Sequence, residues 1–312
     1  MRPLRCPIPG YIYEITTSTI NGEFLLRPSD EVNRIVLGVI GRAQDLTGVR
    51  IHGFVFLSTH YHLLISVRNT RQKSAFMRML NGNLSKKLNH HHQRTGTMWH
   101  RRFRAIGVAA DRETQESRMR YILAHGVKEG LVARTTDWPG ASALPWLLRG
   151  DKLVGIWTDF TARYHAQRRV DYVPLPGEFE REYEVHITVL PCWTDLGTAT
   201  WRRVVVGMTA DIEADGVRAR AGAPVAGVEV VLAFEPTHRR PRRLRRRCAP
   251  IVHAVDSEVR RELRRMLRAI RDAYAEASAR FRRGEWQVEF PADTFCPPVG
   301  LMAAWEDALA AC

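Results

Sequence analysis

Hydrophobic and polar positions alternate through YIYEITT (11–17), where aromatic and β-branched residues dominate, and the segment is predicted as a strand. The pattern then lengthens to a helical period in PSDEVNRIVLGVIGRAQDLTG (28–48). Ser29 can cap that helix, acidic residues fill its first turn, and Gly48 can close it. IHGFVFL (51–57) and HYHLLISV (60–67) read as two strands joined by Ser58 and Thr59. A polar-faced helix over 71–94 leads to a basic, strand-like stretch, MWHRRFRAIGVAA (98–110), and a helix over 111–130 precedes DWPG at 137–140. The order strand, helix, strand, strand, helix, strand, helix predicts an α+β domain built on an antiparallel sheet.

Beyond Gly150 the pattern changes. VPLPGEF (173–179) and LPCW (190–193) are proline-marked connections, and long helices are expected near 197–215 and 256–283. The chain therefore divides at sequence level into a domain over 1–150 and a smaller, mostly helical accessory domain over 151–312, without an internal repeat.

Composition narrows the function. No stretch approaches the roughly 18 uninterrupted apolar residues of a membrane helix, and MRPLRCPIPG lacks an apolar signal-peptide core, so a cytoplasmic protein is expected. Cysteines 6, 192, 248, 296 and 312 form no C-x-x-C pair, which argues against a disulfide framework and a cysteine zinc site. The net charge of +14 makes a polyanion the expected partner. Residues 1–150 carry 22 basic against 10 acidic side chains, net +12, and residues 151–312 carry 25 against 23, net +2. In the second half the positive charge is concentrated in RRPRRLRRR, Arg239 to Arg247.

His60 and His62 stand two apart in a predicted strand, so both imidazoles share one face and can chelate one divalent ion. Tyr61, Leu63, Ile65 and Val67 take the other face. Taken alone, a His-x-His is more often a pair of surface or hydrogen-bonded histidines. Tyr121 and His125 lie at i and i+4 of a predicted helix, one above the other, with Lys128 nearly in line. Met119, Ile122, Leu123 and Val127 form the stripe that would pack this helix down. An isolated tyrosine on a helix is more often a packing or rim residue than a nucleophile.

Together, STHYHLLISV, FMRMLNGNLSKKLNHHHQRTGTMWHRRFRA, MRYILAHGVKEGLV and DWPGASA resemble, in order and spacing, successive blocks of HUH-class single-tyrosine transposases, particularly the REP-associated tyrosine transposases and their longer bacterial relatives. The resemblance spans most of residues 5–148. It implies a ferredoxin-like antiparallel sheet with helices, and a metal-dependent nicking and strand-transfer enzyme acting on single-stranded, hairpin or palindromic DNA through a 5′-phosphotyrosine. It implies His60 and His62 as ligands of Mg2+ or Mn2+ and Tyr121 as nucleophile. Where the family commonly has an amide one turn after the tyrosine, this chain has His125, which ligates a divalent ion at least as well and is expected as the third ligand. Tyr61 replaces a smaller apolar residue, and its parity turns it away from the metal. VVLAFEPTHRRP, RRCAPIVHA and AYAEASARFRRGEWQVEFPADTFCPP resemble an extension in longer members, with no defined chemistry; Tyr183 and Tyr274 have no histidine pair near them in sequence.

DNA contacts are expected from Lys86, Lys87, Arg94, Arg101, Arg102, Arg104 and Lys128, with Trp99 and Phe103 to stack unpaired bases. Arg239, Arg240, Arg242, Arg243, Arg245, Arg246 and Arg247 are expected to form an arm gripping DNA beyond the hairpin. His90, His91 and His92 fan around a helix and cannot all meet one ion, and are read as exposed. The protein is expected in the nucleoid-associated cytoplasm, as a monomer or a homodimer. Two other readings remain open at this point: a domesticated, non-catalytic hairpin-binding protein, and an RNA-binding regulatory module on the same kind of open sheet.

Overall fold

The first strand, β1 (Ile12–Ser18), is buried on both faces and occupies the interior of a five-stranded sheet. This is a computed structural model, and it describes residues 12–173, 175–239 and 252–296. Helix α1 (Asp30–Thr47) begins and ends where its capping residues stand. Ser29 Oγ accepts from Val32 N at 3.2 Å, and Gly48 closes the helix at φ 63°, a left-handed conformation that glycine adopts without strain. The hairpin β2 (Arg50–Leu57) and β3 (His60–Ser66) turns at Ser58 and Thr59, then α2 (Thr70–His91) returns the chain to β4 (Arg104–Val108). Strand order is β2-β3-β1-β4, with each of these pairs antiparallel. That is the ferredoxin-like arrangement, and the class is α+β.

The expected basic strand over 98–110 is shorter than its pattern suggested. Met98 to Phe103 run along the end of β1 with only an isolated Thr19–Trp99 bridge, because the chain there meets the turn at Ile20–Gly22 instead of a straight neighbour. The helix expected over 111–130 is α3 (Arg112–Leu123) and α4 (His125–Lys128), interrupted only at Ala124. The backbone ladder continues across the interruption, Ala124 N to Arg120 O at 2.9 Å and Lys128 N to Ala124 O at 2.7 Å, so the i, i+4 relation of Tyr121 and His125 survives. A 3-10 turn, Thr135–Asp137, leads into DWPG, with Trp138 buried and its Nε1 donating to Phe56 O at 3.0 Å on the edge strand β2.

Among the described residues, the second half is not only helical. After α5 (Leu144–Arg149) comes a hairpin, β5 (Val154–Thr158) and β6 (Glu180–Glu184), with α6 (Phe160–Ala166) in its connection. Then follow α7 (Thr198–Arg220), α8 (Val228–Ala233), the two-residue strand β7 (Val252–His253) and α9 (Ser257–Arg282). Strand β7 joins the main sheet, parallel to β4. One hydrophobic cluster takes in residues from both sides of residue 150, including Val39, Phe54, Leu147, Trp193, Trp201 and Val205. Trp201 of α7 stacks on Trp146 of α5 at 5.7 Å and on the fully buried Trp193 at 6.0 Å.

Helix α1 crosses the β5–β6 hairpin almost backbone to backbone. A Cβ at Gly38 would lie 2.2 Å from Ile156 O, and one at Gly155 would lie 2.0 Å from Gly38 N. Gly38→Ala is therefore expected to lower stability by roughly 1–3 kcal/mol or more, because the clash is with backbone that cannot swing aside. Gly82 of α2 has nothing within 4 Å of its Cβ position, so Gly82→Ala is expected to stabilise by roughly 0.5–1 kcal/mol. Urea denaturation of the pair checks the contrast; equal midpoints would remove the close crossing.

Candidate active site

Strand parity places His60 and His62 on one face of β3, opposite Ser18 and Thr16 of β1 and Leu57 and Val55 of β2. Tyr61 points the other way, fully buried, with its hydroxyl donating to Asn81 Oδ1 of α2 at 2.5 Å. Its burial drives the phenol pKa upward. Helices α3 and α4 lie on the histidine face, held there by Met119, Ile122, Leu123 and Val127, all buried.

His125 reaches the pair from α4. Its ring stacks on His62 at 4.4 Å and meets His60 edge-on at 5.4 Å, and the three imidazoles offer one nitrogen each, all within 4.8 Å of one another. His62 Nδ1 is engaged by Glu14 Oε1 at 2.9 Å, which leaves Nε2 as its ligand atom, and His60 Nδ1 sits 3.0 Å from Thr59 Oγ1. His125 is 3% exposed, and both its ring nitrogens are buried without a hydrogen-bond partner among the described residues. A buried polar group without a partner costs on the order of 1–3 kcal/mol, and a bound cation is what this donor set would satisfy. Burial, reinforced by His62, His60 and Lys128, pushes the His125 pKa down to about 2, so its imidazole is neutral, the form that ligates. The residues fit a divalent ion.

Tyr121 stands one turn before His125, ring to ring at 4.8 Å, and 5.5 Å from His62. The Arg118 guanidinium lies 4.0 Å over its ring and Lys128 Nζ 4.8 Å. Burial and the Glu14 charge raise the phenol pKa, against Arg118.

Sequence reasoning missed Glu14. It is 2% exposed in the middle of β1 and gathers His62, Arg118 (Nε and Nη2 both 2.8 Å) and His253 Nε2 of β7 at 3.1 Å. Burial pushes its carboxyl up, but His253, His62 and Arg118 together outweigh it and hold the pKa well below the usual carboxylate range. The available signal was a lone carboxylate inside YIYEITT, where β-branched and aromatic residues otherwise prevail. Through Arg118 the same carboxylate touches the tyrosine as well as the histidines. Glu14→Gln is expected to weaken Mn2+ binding by about 10–100-fold, since it removes the negative charge that fixes the ligand ring and raises its basicity. Titration followed by Mn2+ paramagnetic resonance checks this; unaltered affinity would make Glu14 a structural charge only.

The DNA-contact candidates divide. Lys86, Arg101, Arg102, Arg104 and Lys128 are exposed. Lys87 is instead buried at 4%, its Nζ donating to Thr158 O and lying 3.9 Å over Trp157. Burial and the nearby Arg42 push its pKa down to about 8, and it ties α2 to the β5 hairpin. Phe103 is a core residue. Trp99 is half-buried, its Nε1 donating to Asn81 O at 2.9 Å, and Arg94 pairs with Glu23 at 3.3 Å. Long amphipathic and aromatic side chains in a basic segment look alike in sequence whether they face water or a second layer. His90 and His91 are exposed, whereas His92 is half-buried with Nε2 3.0 Å from Leu25 O. Tyr183 packs on Gly41 of α1, and the Tyr274 hydroxyl donates to Phe295 O at 2.9 Å. Arg239 pairs with Glu23 at 3.4 Å; Arg240, Arg242, Arg243, Arg245, Arg246 and Arg247 lie outside the described residues.

A ferredoxin-like sheet with a His-x-His pair on an inner strand, faced by a tyrosine one helical turn before a third potential ligand, is the layout of an HUH-class single-tyrosine transposase. Residues 13–125 match the family model described as transposase IS200 like. The match spans Glu14, both strand histidines and Tyr121, and closes on His125. Among solved structures, a REP-associated tyrosine transposase bound to a REP hairpin is similar at 20% identity and TM-score 0.38, over 46% of this chain and 82% of that one. A candidate transposase from Deinococcus radiodurans R1 is similar at 16% identity and TM-score 0.29, over 39% of this chain and 95% of that one. No curated protein matches. No helix among the described residues is long and apolar enough to cross a membrane.

Proposed function

We propose that the chain is a divalent-metal-dependent single-stranded DNA endonuclease and strand transferase that acts on hairpin or palindromic DNA through a phosphotyrosine at Tyr121. The observation that carries this reading is the buried His125, with neither ring nitrogen hydrogen-bonded among the described residues, between His60, His62 and Tyr121. Mg2+ or Mn2+ bound there would neutralise and orient the scissile phosphate.

The chain's own groups do the rest. Tyr121 Oη attacks phosphorus; the new O–P bond forms as the bond to the 3′ oxygen breaks. The proton lost by the phenol is matched by the one the leaving 3′ oxygen gains, giving a 5′-phosphotyrosine and a free 3′-hydroxyl. Arg118 and Lys128, placed over the tyrosine ring, favour the phenolate as it forms. Glu14 holds His62 and Arg118 in place. Because the phosphodiester is conserved in the tyrosyl ester, a second 3′-hydroxyl can reverse the step and rejoin DNA without ATP. The chain acts as a monomer or a homodimer, and a DNA substrate implies a site of action at the nucleoid.

The test is a pool of labelled hairpins with randomised single-stranded flanks, incubated with the full chain and Mn2+. Nicked strands and a denaturant-resistant protein–DNA adduct, both lost with chelator, are expected. Hairpin binding without cleavage across Mg2+ and Mn2+ would instead support the non-catalytic binding protein.

A further inference from the structure

Between the tyrosine helix and α7 lies a cavity of about 510 Å³, within the roughly 300–1,000 Å³ of small-molecule sites. Tyr121, Arg118 and Lys128 line it from α3 and α4, and Ile212, Ala219 and Arg220 from α7. The family match ends at His125, so α7 brings to the tyrosine a wall outside the matched region.

That wall is held at a set distance. A Cβ at Gly216 would fall 2.3 Å from Val127 Cγ1, so glycine lets α7 close on α4, and Asp215 of α7 pairs with Arg120 of α3. Beside this contact Arg220 keeps Nη1 buried with no hydrogen-bond partner among the described residues. Asp215 is taken by Arg120 and Arg218, and Arg118 by Glu14, which leaves Glu129 as the other carboxylate of the lining, against Lys128 and Arg220. A surface both apolar and cationic suits a planar base attached to a phosphate.

We propose that this cavity is a nucleotide subsite that takes the base of the first nucleotide on the 3′ side of the cut. The inference rests on the tyrosine reading for its choice of nucleotide. In a 5′-phosphotyrosine the nucleotide joined to Tyr121 lies one sugar-phosphate away from a residue of the cavity wall. Its base is thus the group able to enter, and unstacking it there would let α7 select the cleavage position.

The test uses the full chain in chelator, titrated calorimetrically with each of the four deoxynucleoside 5′-monophosphates and with inorganic phosphate. At least one nucleotide is expected to bind about tenfold or more tightly than phosphate, and Ala219→Trp, which fills the cavity from an exposed helix position, is expected to reduce that binding by about tenfold or more. Arg220→Gln, which removes the charge without filling the cavity, is the second variant and is expected to weaken nucleotide binding severalfold; circular dichroism confirms that both fold. Nucleotides binding no better than phosphate, or binding both variants as they bind wild type, would overturn the subsite. In a separate arm, an abasic residue immediately 3′ of the cut should reduce adduct formation by wild type about tenfold, and unchanged adduct would overturn the assignment of that base. Absence of any adduct from intact hairpins, with cavity-dependent nucleotide binding preserved, would count against the tyrosine reading alone.

Discussion

Tyr121→Phe is expected to reduce adduct formation and strand transfer by at least about 10³-fold, roughly 4 kcal/mol of transition-state stabilisation, with hairpin affinity within about twofold of wild type. The substitution removes one oxygen and keeps the ring. The ring is what packs against His125 and His62 and under Arg118, so the fold and the basic surface should be undisturbed. Quantified adduct on denaturing gels, beside a binding isotherm for the same hairpin, checks both halves. A Phe variant that still forms adduct would free Tyr121 from its assigned role, and one that loses binding equally would make the tyrosine a contact residue.

The histidines should respond differently from one another. His60→Ala and His62→Ala are each expected to lower cleavage at ordinary Mg2+ by roughly 10²-fold or more, since two imidazoles hold a hard cation poorly. His62→Ala should be the worse, because it also deprives buried Glu14 of a partner and leaves Arg118 and His253 to share that carboxylate. His125→Ala removes a group whose nitrogens have no hydrogen-bond partner among the described residues, so it should raise the metal requirement, with partial recovery in excess Mn2+. Cleavage rates across a metal titration separate these cases. Normal cleavage by His125→Ala at every metal concentration would give the third ligand to another residue.

What could be read from the sequence was local. Ser29 and Gly48 marked the ends of α1 because capping depends on neighbours three or four residues away. Parity put His60 and His62 on one face and Tyr61 on the other, and helical spacing put Tyr121 over His125. The Glu14 network was hidden because it joins residues of β1, β3, α3 and β7, up to the whole length of the fold apart, through strand order and register. Lys87 was misjudged for a related reason: the hairpin that covers it comes from residues 154–184, and Gly38 and Gly155 reveal their purpose only when the two backbones meet. The wall that α7 builds beside Tyr121 likewise depends on a contact between Gly216 and Val127 that no spacing announces.

The most direct measurement maps the covalent bond itself. Full-length protein is allowed to react with the hairpin pool in Mn2+, denatured, digested with nuclease and protease, and its peptides weighed by mass spectrometry. The nucleotide mass should sit on the peptide containing Tyr121 and be absent when chelator is present from the start. A nucleotide on Tyr61, Tyr183, Tyr274 or any other side chain, or cleavage of DNA with no nucleotide retained on the protein, would contradict the phosphotyrosine mechanism proposed for this chain.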